Sequence, residues 1–306
     1  MKKPKVAIVS LNWNGVEHLE YFCPSAANQN YEDYFTVIVD NASCDNSVGF
    51  IEDNYPDFKI VKNSTNLGYS KGFNTGIEYA LNNGAEYLLI TNNDLLLHPN
   101  ILDVGVNLFL KNRRIGYMGG KVYNLDSQKI FQYAGGRVYK NLDSMPSRGA
   151  GEKDTGQYEK VEYFEFMDDV CSLVSKELIM EVGSYDSDFF FDYEETEWNY
   201  RIRSKNYLIA YNPLMKVWHR KHGSTGGNRL TGFAEFHTYR GKVLFHFKTK
   251  NKNDFLYFLL SFTMCALPVR FLVMTIKHLS PELFLYTIKG FLSSLKRVLE
   301  LKSLDQ

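Results

Sequence analysis

The run Asn92-Asn93-Asp94 places a carboxylate shortly after the apolar stretch at residues 87–90. A carboxylate oxygen suits a hard divalent cation such as Mg2+ or Mn2+. Such a cation could bridge the oxygens of a diphosphate and neutralise the charge that develops on a leaving group. Because strands commonly end in polar turns, the run by itself also fits a structural role.

A second cluster holds Glu194 and Glu195 at the start of a predicted helix, residues 194–205. The helix dipole favours ionised carboxylates at this end. Neighbouring helical residues point in different directions, so only one of them would face a given crevice. An acidic first turn that only stabilises the helix is the alternative interpretation.

His219 follows an apolar run and precedes a glycine-rich stretch at residues 222–232. A histidine in this position could be a metal ligand or a residue of the core. The basic residues around it, followed by the glycines, also suit a lid over a phosphate.

The elements that would position these residues alternate along the first hundred residues. Continuous apolar runs predict strands that are buried on both faces, and helical patterns lie between them. The strands are predicted at residues 6–10, 37–40, 58–61 and 87–90, and the helices at residues 17–28, 47–55 and 70–82. This alternation predicts an α/β fold with a mostly parallel sheet.

Polar side chains follow the predicted strands, and ligands of such sheets bind outside the carboxyl ends of the strands. The polar ends include Ser10, Asn12, Asp40, Asn92 and Asp94. We therefore predict that these ends converge on one binding crevice.

The net charge of zero conceals an asymmetry. Residues 240–306 contain 11 Lys/Arg and 4 Asp/Glu, a charge of +7, and the rest of the chain carries −7. A basic tail on an acidic body indicates an anionic partner for the tail. No helix-turn-helix, zinc-finger or RNP-type pattern is present, so we expect no nucleic acid.

Four scattered cysteines without a Cys-x-x-Cys pair indicate a reducing compartment and no structural zinc.

The tail could meet a membrane in more than one way. Residues 255–269 carry no charge, but Arg270 interrupts the run, and a spanning helix needs about 20 apolar residues. Residues 282–301 have an amphipathic pattern with basic partners, which is typical of a helix lying on anionic lipid. A span, and a helical pair that packs on the catalytic body or on a second subunit, are the two alternatives.

Several stretches together resemble a known family. Residues 39–47 read V-D-N-A-S-C-D-N-S, and residues 66–77 read N-L-G-Y-S-K-G-F-N-T-G-I. With Asn92-Asn93-Asp94 as a variant DXD motif, residues 193–197 and Trp218-His219, they resemble family 2 glycosyltransferases with the GT-A fold. The resemblance is to the rhamnosyltransferase and galactofuranosyltransferase-like branch, and it runs from residue 5 to about residue 240.

The resemblance implies a nucleotide pocket at the carboxyl edge of the sheet. Ser10 and Asn12 would line it, and Asp40 would accept a hydrogen bond from uracil or thymine. Asn66 and Gly68 would form the wall beside the nucleoside, and Asn92 would belong to the same pocket.

The resemblance also implies the chemistry. Asp94 and His219 would bind Mg2+ or Mn2+ on the donor diphosphate. Glu195 would be the general base of an inverting transfer, although the family has Asp in this position. Asp169, in a position where the family often has a small residue, and Glu194 would contact the acceptor.

Together these inferences predict a GT-A domain at residues 1–232 and a basic amphipathic helical tail at residues 233–306. The expected reaction moves a sugar from a UDP- or dTDP-sugar to a saccharide or polyprenyl-linked saccharide in polysaccharide or cell-envelope synthesis. The expected location is cytoplasmic, peripheral on the inner face of the cell membrane. A nucleotidyltransferase and a non-catalytic nucleotide-sugar-binding protein are the rival interpretations.

Overall fold

The computed structural model describes residues 3–137, 147–220 and 231–304. The strands are β1 (Val6–Asn12), β2 (Tyr34–Asp40), β3 (Lys59–Lys62), β4 (Tyr87–Asn92), β5 (Leu95–Leu97), β6 (Ile115–Asn124), β7 (Phe131–Ala134), β8 (Glu162–Phe164), β9 (Cys171–Ser175) and β10 (Leu208–His219). The helices are α1 (Val16–Ala27), α2 (Ser47–Asn54), α3 (Gly68–Asn82), α4 (Ile101–Lys111), α5 (Lys176–Val182), α6 (Glu194–Ser204), α7 (Gly232–Thr249), α8 (Lys252–Ser261), α9 (Leu267–Leu272) and α10 (Pro281–Leu304). Residues 222–230 of the predicted lid lie outside the described residues.

All ten of these strands belong to one mixed sheet, in the order β3-β2-β1-β4-β9-β6-β10-β5, with β7 also pairing with β6 and β8 with β10. β9 is antiparallel to both β4 and β6, so β6 points the same way as β4. Six of the described strands therefore run in one direction, namely β1, β2, β3, β4, β6 and β10. The predicted α/β class with a mixed, mostly parallel sheet is confirmed, and the polar ends of these six strands lie along one edge.

Apolar clusters cover both faces of the sheet. One contains Leu19 and Phe22 of α1 and Val106 of α4, and the other contains Phe73 of α3 and Trp198 of α6. The central strands β1, β2 and β4 are almost completely buried between them, which explains why they are continuous apolar runs in the sequence.

Two glycines let α3 begin and pack where it does. Gly68 opens the helix with φ of +78°, a backbone conformation that other residues adopt only with strain. At Gly76 a Cβ atom would lie 2.5 Å from Val39 and 2.7 Å from Val9, so only glycine allows the helix to approach β1 and β2 this closely.

The chain divides into two compact units. The first comprises Met1–Tyr185 and Trp198–Gly227, and the second comprises Asp186–Glu197 and Asn228–Gln306. The first contains the sheet, and the second contains α7 to α10 together with a short segment from the middle of the chain. The boundary between residues 232 and 233 stays a prediction.

Inside the second unit, α7 packs along α10, and the C-terminal helices predicted from the sequence are present. A Cβ atom at Gly290 of α10 would lie 2.2 Å from the carbonyl oxygen of Phe236, so the two helices approach closely there. The buried Glu235 of α7 accepts hydrogen bonds from Arg270 and, at 3.0 Å, from Thr287.

The segment Lys252–Lys277 forms one 26-residue helix, in which two π-helical turns, Phe262–Ala266 and Val273–Lys277, follow α8 and α9. It is the one helix in the described part of the chain that is long and apolar enough to cross a membrane, by length and composition only. Only 17% of its most apolar window is buried, which distinguishes it from the core helix of a water-soluble domain.

Candidate active site

The side chains of Asp94 and His219 meet because of one strand pairing. β5 runs antiparallel to the end of β10, and its register sets Leu95 opposite His219. The amide of Arg220 donates a hydrogen bond of 2.8 Å to the carbonyl oxygen of Asp94 and closes this pairing. Oδ1 of Asp94 consequently lies 3.1 Å from Nε2 of His219, and Asp94 is only 2% exposed.

Gln132 of β7 fixes the ring of His219. Its amide group donates a hydrogen bond of 2.7 Å to the carbonyl oxygen of His219, which leaves its Oε1 facing Nδ1 of the same histidine at 2.7 Å. An amide oxygen only accepts, so Nδ1 carries the proton. In the neutral ring the lone pair of Nε2 then faces the carboxylate of Asp94.

This arrangement fits a divalent cation. Oδ1 of Asp94 is buried without a hydrogen-bond partner among the described residues, and it faces Nε2 of His219. Adjacent ligands of an octahedral cation, each at about 2.1 Å, lie about 3 Å apart, which matches the observed separation. In the described ranges no third His, Cys, Asp or Glu completes a cluster, so diphosphate oxygens and water would fill the other positions.

A buried chain of hydrogen bonds links the ends of β1 and β2 to the turn after β4. Asn93 donates to the side-chain oxygen of Asn12 at 2.7 Å, and Asn12 donates to Ser43 at 3.1 Å and, more weakly, to Asp40 at 3.4 Å. The amide of Ser43 donates to the other oxygen of Asp40 at 3.3 Å. The predicted nucleotide-binding residues Asn12 and Asp40 are thus adjacent, and Asn93 is added to them.

The loops after β1 and β2 are joined to each other. Oδ1 of Asn14, which has φ of +51°, accepts a hydrogen bond of 2.7 Å from the amide of Cys44. Asp45 accepts from the amide of Val16 at 3.0 Å and from Ser47. Burial opposes ionisation of Asp45, but these hydrogen bonds outweigh it and lower the pKa of the carboxyl. Charge-assisted hydrogen bonds to Asp45 therefore help to hold these two loops together.

Asn41 organises the wall that contains Asn66 and Gly68. Its amide group donates to Oδ1 of Asn66 at 2.8 Å and to the carbonyl oxygen of Gly68 at 3.2 Å. Its oxygen accepts from the amide of Leu67 at 3.1 Å. Asn66 also accepts from the amide of Gly68 at 2.9 Å, so both residues shape the loop that begins α3.

Asp169 comes to the same edge because β9 enters the sheet antiparallel to β4, so the start of β9 lies beside the end of β4. Tyr185 donates a hydrogen bond of 2.8 Å to Asp169, and Tyr69 donates one of 3.3 Å to Asn92. Burial raises the pKa of Asp169 to about 6, although hydrogen bonds from Tyr185 and Tyr69 oppose the rise.

Ser10, another predicted site residue, is enclosed by the sheet. Its side chain is fully buried in β1, and its hydroxyl has no hydrogen-bond partner within the described ranges. The structure thus brings Asn12, Asp40, Asn92, Asp94, Asp169 and His219 to one edge of the sheet in the first unit.

Glu194 and Glu195 belong to the second unit and begin α6. Glu194 is buried, whereas Glu195 is partly exposed. The two residues before them, Asp192 and Tyr193, both have positive φ, +69° and +74°. The strain of two such non-glycine residues persists only where the surroundings hold them.

Within the second unit, helix α7 holds these two residues in place. Thr238 donates a hydrogen bond to the carboxylate of Asp192. A Cβ atom at Gly241 would lie 2.8 Å from the carbonyl oxygen of Asp192, so the helix passes directly against this backbone.

Ion pairs also fix Asp188, earlier in the same segment. Lys248 and Arg297 both pair with Asp188. Although burial opposes ionisation of Asp188, these cations lower the pKa of its carboxyl.

Sequence reasoning missed the residues that support the site. Asn41 and Asn93 stand inside the quoted motifs, so the motif itself was a signal for them. Gln132 and Thr238 carry no local signal, because each matters only through a partner 87 or 46 positions away in the chain.

Comparisons with known proteins agree with this geometry. The sequence profile described as "Glycosyl transferase family 2" matches residues 7–183. An N-acetylglucosaminyl-diphospho-decaprenol L-rhamnosyltransferase of Mycobacterium tuberculosis (strain CDC 1551 / Oshkosh) is 24% identical over 256 residues, 75% of this chain and 80% of the relative.

Two solved structures share the fold. The crystal structure of GalNAc-T7 with UDP, GalNAc and Mn2+ has a TM-score of 0.61 at 16% identity, over 79% of this chain and 47% of that one. The chain thus spans about half the length of that protein. Mannosyltransferase PcManGT from Pyrobaculum calidifontis, in complex with GDP-Man and Mn2+, has a TM-score of 0.56 at 15% identity, over 96% of this chain and 88% of that one. The expected GT-A fold is confirmed.

Proposed function

The chain belongs to glycosyl transferase family 2, and from this membership we propose that it is an inverting enzyme that moves a sugar from a UDP- or dTDP-sugar to a hydroxyl group of a glycan or lipid-linked glycan. Sugar transfer follows from the family, which favours it over a nucleotidyltransferase or a non-catalytic binding protein. What we propose beyond family membership is the kind of donor, the kind of acceptor and the inversion of configuration.

The observation that carries the proposal is the pair of the buried Asp94 and the partly buried His219, 3.1 Å apart, with the ring of His219 oriented by Gln132. These two side chains would hold Mg2+ or Mn2+, and the Mn2+ in both similar structures supports this choice of metal. When bound, the cation would neutralise the negative charge on the departing diphosphate. Asn12 and Asp40 would hold the nucleoside, with Asn66 and Gly68 beside it.

Glu195 is the proposed base. It takes the proton from the acceptor hydroxyl as that oxygen attacks the anomeric carbon. The bond from this carbon to the phosphate oxygen breaks, and the nucleoside diphosphate leaves with the electron pair. Attack from the face opposite to the leaving group inverts the configuration.

The acceptor is proposed to be a saccharide on a polyprenyl lipid, made for a cell-envelope polysaccharide. The named activity of the rhamnosyltransferase relative, which acts on a decaprenyl-diphosphate-linked sugar, supports this choice. Asp169 and Glu194 would contact the acceptor. The basic tail supports a peripheral location on the cytoplasmic face of an anionic membrane.

Donor hydrolysis tests the proposal. The protein is incubated with a panel of UDP- and dTDP-sugars, with Mn2+, with Mg2+ or with a chelator, and the release of nucleoside diphosphate is followed. We expect metal-dependent release with one donor. Asp94→Ala should reduce it on the order of 100-fold or more, because a group that stabilises the leaving charge is lost. The exposed Asp57→Ala is the matched control.

Transfer to an acceptor tests the base. Glu195→Gln should lower kcat by about 100- to 10,000-fold, the usual range for a general base, whereas Glu78→Gln on the exposed face of α3 should not. Full activity in the presence of chelator would contradict the metal site. An unchanged kcat in Glu195→Gln would contradict the role of Glu195.

A further inference from the structure

The second unit has an exposed apolar stripe that none of the roles above uses. It begins one turn into the helix Lys252–Lys277 and consists of Leu256, Tyr257, Leu260 and Met264. These side chains are 49% to 75% exposed although all four are apolar or aromatic. Their spacing of three and four residues places them on one side of the helix, which is the pattern of a surface that is covered by something else.

A basic cavity lies at the beginning of the same helix. It has a volume of about 330 Å³ and is lined by Phe247, Lys250, Lys252, Phe255 and Lys302. The rings of Phe247 and Phe255 contact each other edge to face at 5.3 Å, and Nζ of Lys302 lies 5.8 Å from the centre of the Phe247 ring. The three lysines come from the end of α7, the start of α8 and the end of α10.

These three lysines have no anionic partner among the described residues. Asp254, two residues after Lys252, accepts a hydrogen bond of 2.8 Å from Asn251 at its carboxylate. Glu300, two residues before Lys302, is paired with Arg297. Lys252 also stands at the N-terminus of a helix, where positive charge is unfavourable. Three positive charges that line one cavity favour a bound anion.

We propose that this cavity binds the phosphate of an anionic phospholipid, with the acyl chains of that lipid lying along the stripe of Leu256, Tyr257, Leu260 and Met264. The lysines supply the charge and the donors, and the stripe begins at Leu256, next in sequence to Phe255 of the cavity. A lipid has this order of groups, a phosphate and then a hydrocarbon chain. A soluble phosphate would leave the stripe without a partner.

The helix accordingly lies in the membrane surface and does not cross it. Arg270 is paired with the buried Glu235 of α7, and α7 also carries Lys248 and Arg240. A crossing helix would draw these packed charges toward the hydrocarbon, where each is costly. The exposed side chains Leu285, Leu292 and Leu299 of α10 recur at intervals of seven and suit the same surface orientation.

Vesicle binding of the full chain tests the site without any donor sugar. The variant Lys250→Gln/Lys252→Gln/Lys302→Gln is compared with wild type on phosphatidylcholine vesicles with and without phosphatidylglycerol. We expect the partition coefficient on the anionic vesicles to fall roughly 100-fold, from about 1 kcal/mol for each lysine. Circular dichroism checks that the variant is folded.

The matched control is Lys277→Gln/Lys289→Gln/Lys296→Gln, which removes the same charge from the same unit outside the cavity. A smaller loss in this control supports the site, and an equal loss in both variants overturns it.

The stripe is tested separately by Leu260→Glu, an exposed position where a charge does not disturb the core. We expect this variant to lose binding to neutral and anionic vesicles alike, and unchanged binding would overturn the acyl-chain part. The proposal rests on the membrane association proposed above. No binding of wild type to any vesicle would contradict that association, whereas binding with equal effects of the two lysine variants would contradict the cavity alone.

Discussion

The orientation of His219 is set by an uncharged neighbour. Gln132 contacts both the ring and the backbone carbonyl of this histidine, so its amide cannot turn over without losing both hydrogen bonds. The ring is thereby fixed with Nε2 toward Asp94. A metal-binding histidine is commonly held by such a partner, and loss of the partner weakens the metal site.

Gln132→Leu should lower the affinity for Mn2+ in the presence of nucleoside diphosphate by about 10- to 100-fold. Titration calorimetry measures this affinity directly. Gln132→Glu keeps an acceptor for Nδ1 and should recover part of the loss, and the exposed Gln128→Leu is the control. Equal affinities in Gln132→Leu and wild type would show that the ring needs no such partner.

Asp169 should make stability depend on pH. An unfolded aspartate titrates with a pKa of about 3.9, and burial raises the pKa of Asp169 to about 6 in the folded protein. Between these values the folded state binds more protons. The free energy of unfolding should therefore fall as pH rises from about 4 to about 6, by up to about 3 kcal/mol.

Urea unfolding of wild type and Asp169→Asn across this pH range measures the effect. The difference between the two proteins should grow as pH rises and then stay constant above the folded pKa. The exposed Asp57→Asn serves as the control. Parallel curves for Asp169→Asn and wild type would contradict the raised pKa.

At the scale of elements, helix α7 belongs to the C-terminal tail but also contacts the segment that precedes α6. Thr238 and Gly241 of this helix contact Asp192, one of two consecutive residues with positive φ directly before Glu194 and Glu195. The start of α6 is therefore held in its strained form by a helix 38 or more residues later in the chain. The proposed base depends on this contact for its position.

Thr238→Val keeps the shape of the side chain and removes its hydrogen bond to Asp192. The bond is worth about 1 kcal/mol, so Tm should change little, while kcat should fall because Glu195 is less well positioned. The control is Thr263→Val, whose hydroxyl bonds to the backbone of its own helix. A fall in Tm with unchanged kcat would assign Thr238 to stability alone.

The parallel half of the sheet was predictable because its strands are continuous apolar runs followed by polar ends. β9 was not predicted, although it lies in the centre of the sheet between β4 and β6. Its five residues, Cys171–Ser175, form a short run that could be strand or helix, and only its two neighbours decide the matter.

Some of the proposed site residues could likewise be predicted from the sequence, and others could not. Asn12, Asp40 and Asp94 follow strands that are visible in the sequence. The contact between Asp94 and His219 could not be predicted from spacing, because it depends on the three-residue strand β5 pairing with the end of β10. That both residues bind metal remains a prediction.

At the scale of the molecule, the acidic segment 186–197 is grouped with the C-terminal helices rather than with the sheet that surrounds it in sequence. Its anchors are ionic. Asp186 and Asp188 both pair with Lys248, and Asp188 also pairs with Arg297. The tail that carries the excess of basic residues therefore also supports the proposed base.

A chain truncated after residue 232 should lose sugar transfer to the same extent as Glu195→Gln, because all three of these anchors are removed. Metal-dependent binding of nucleoside diphosphate should persist, since the proposed ligands Asp94 and His219 belong to the first unit. Calorimetry and a transfer assay on the same preparation test both statements. Full transfer by the truncated chain would contradict them.

The ion pairs of Asp188 with Lys248 and Arg297 also restrict how such proteins can be recombined. A chimera that joins this sheet unit to the C-terminal helices of a distant relative would need matching cations at both positions to keep Glu195 in place. The proposed membrane contact and the proposed base therefore belong to the same unit of this chain. An exchange of tails would have to carry residues 186–197 with it.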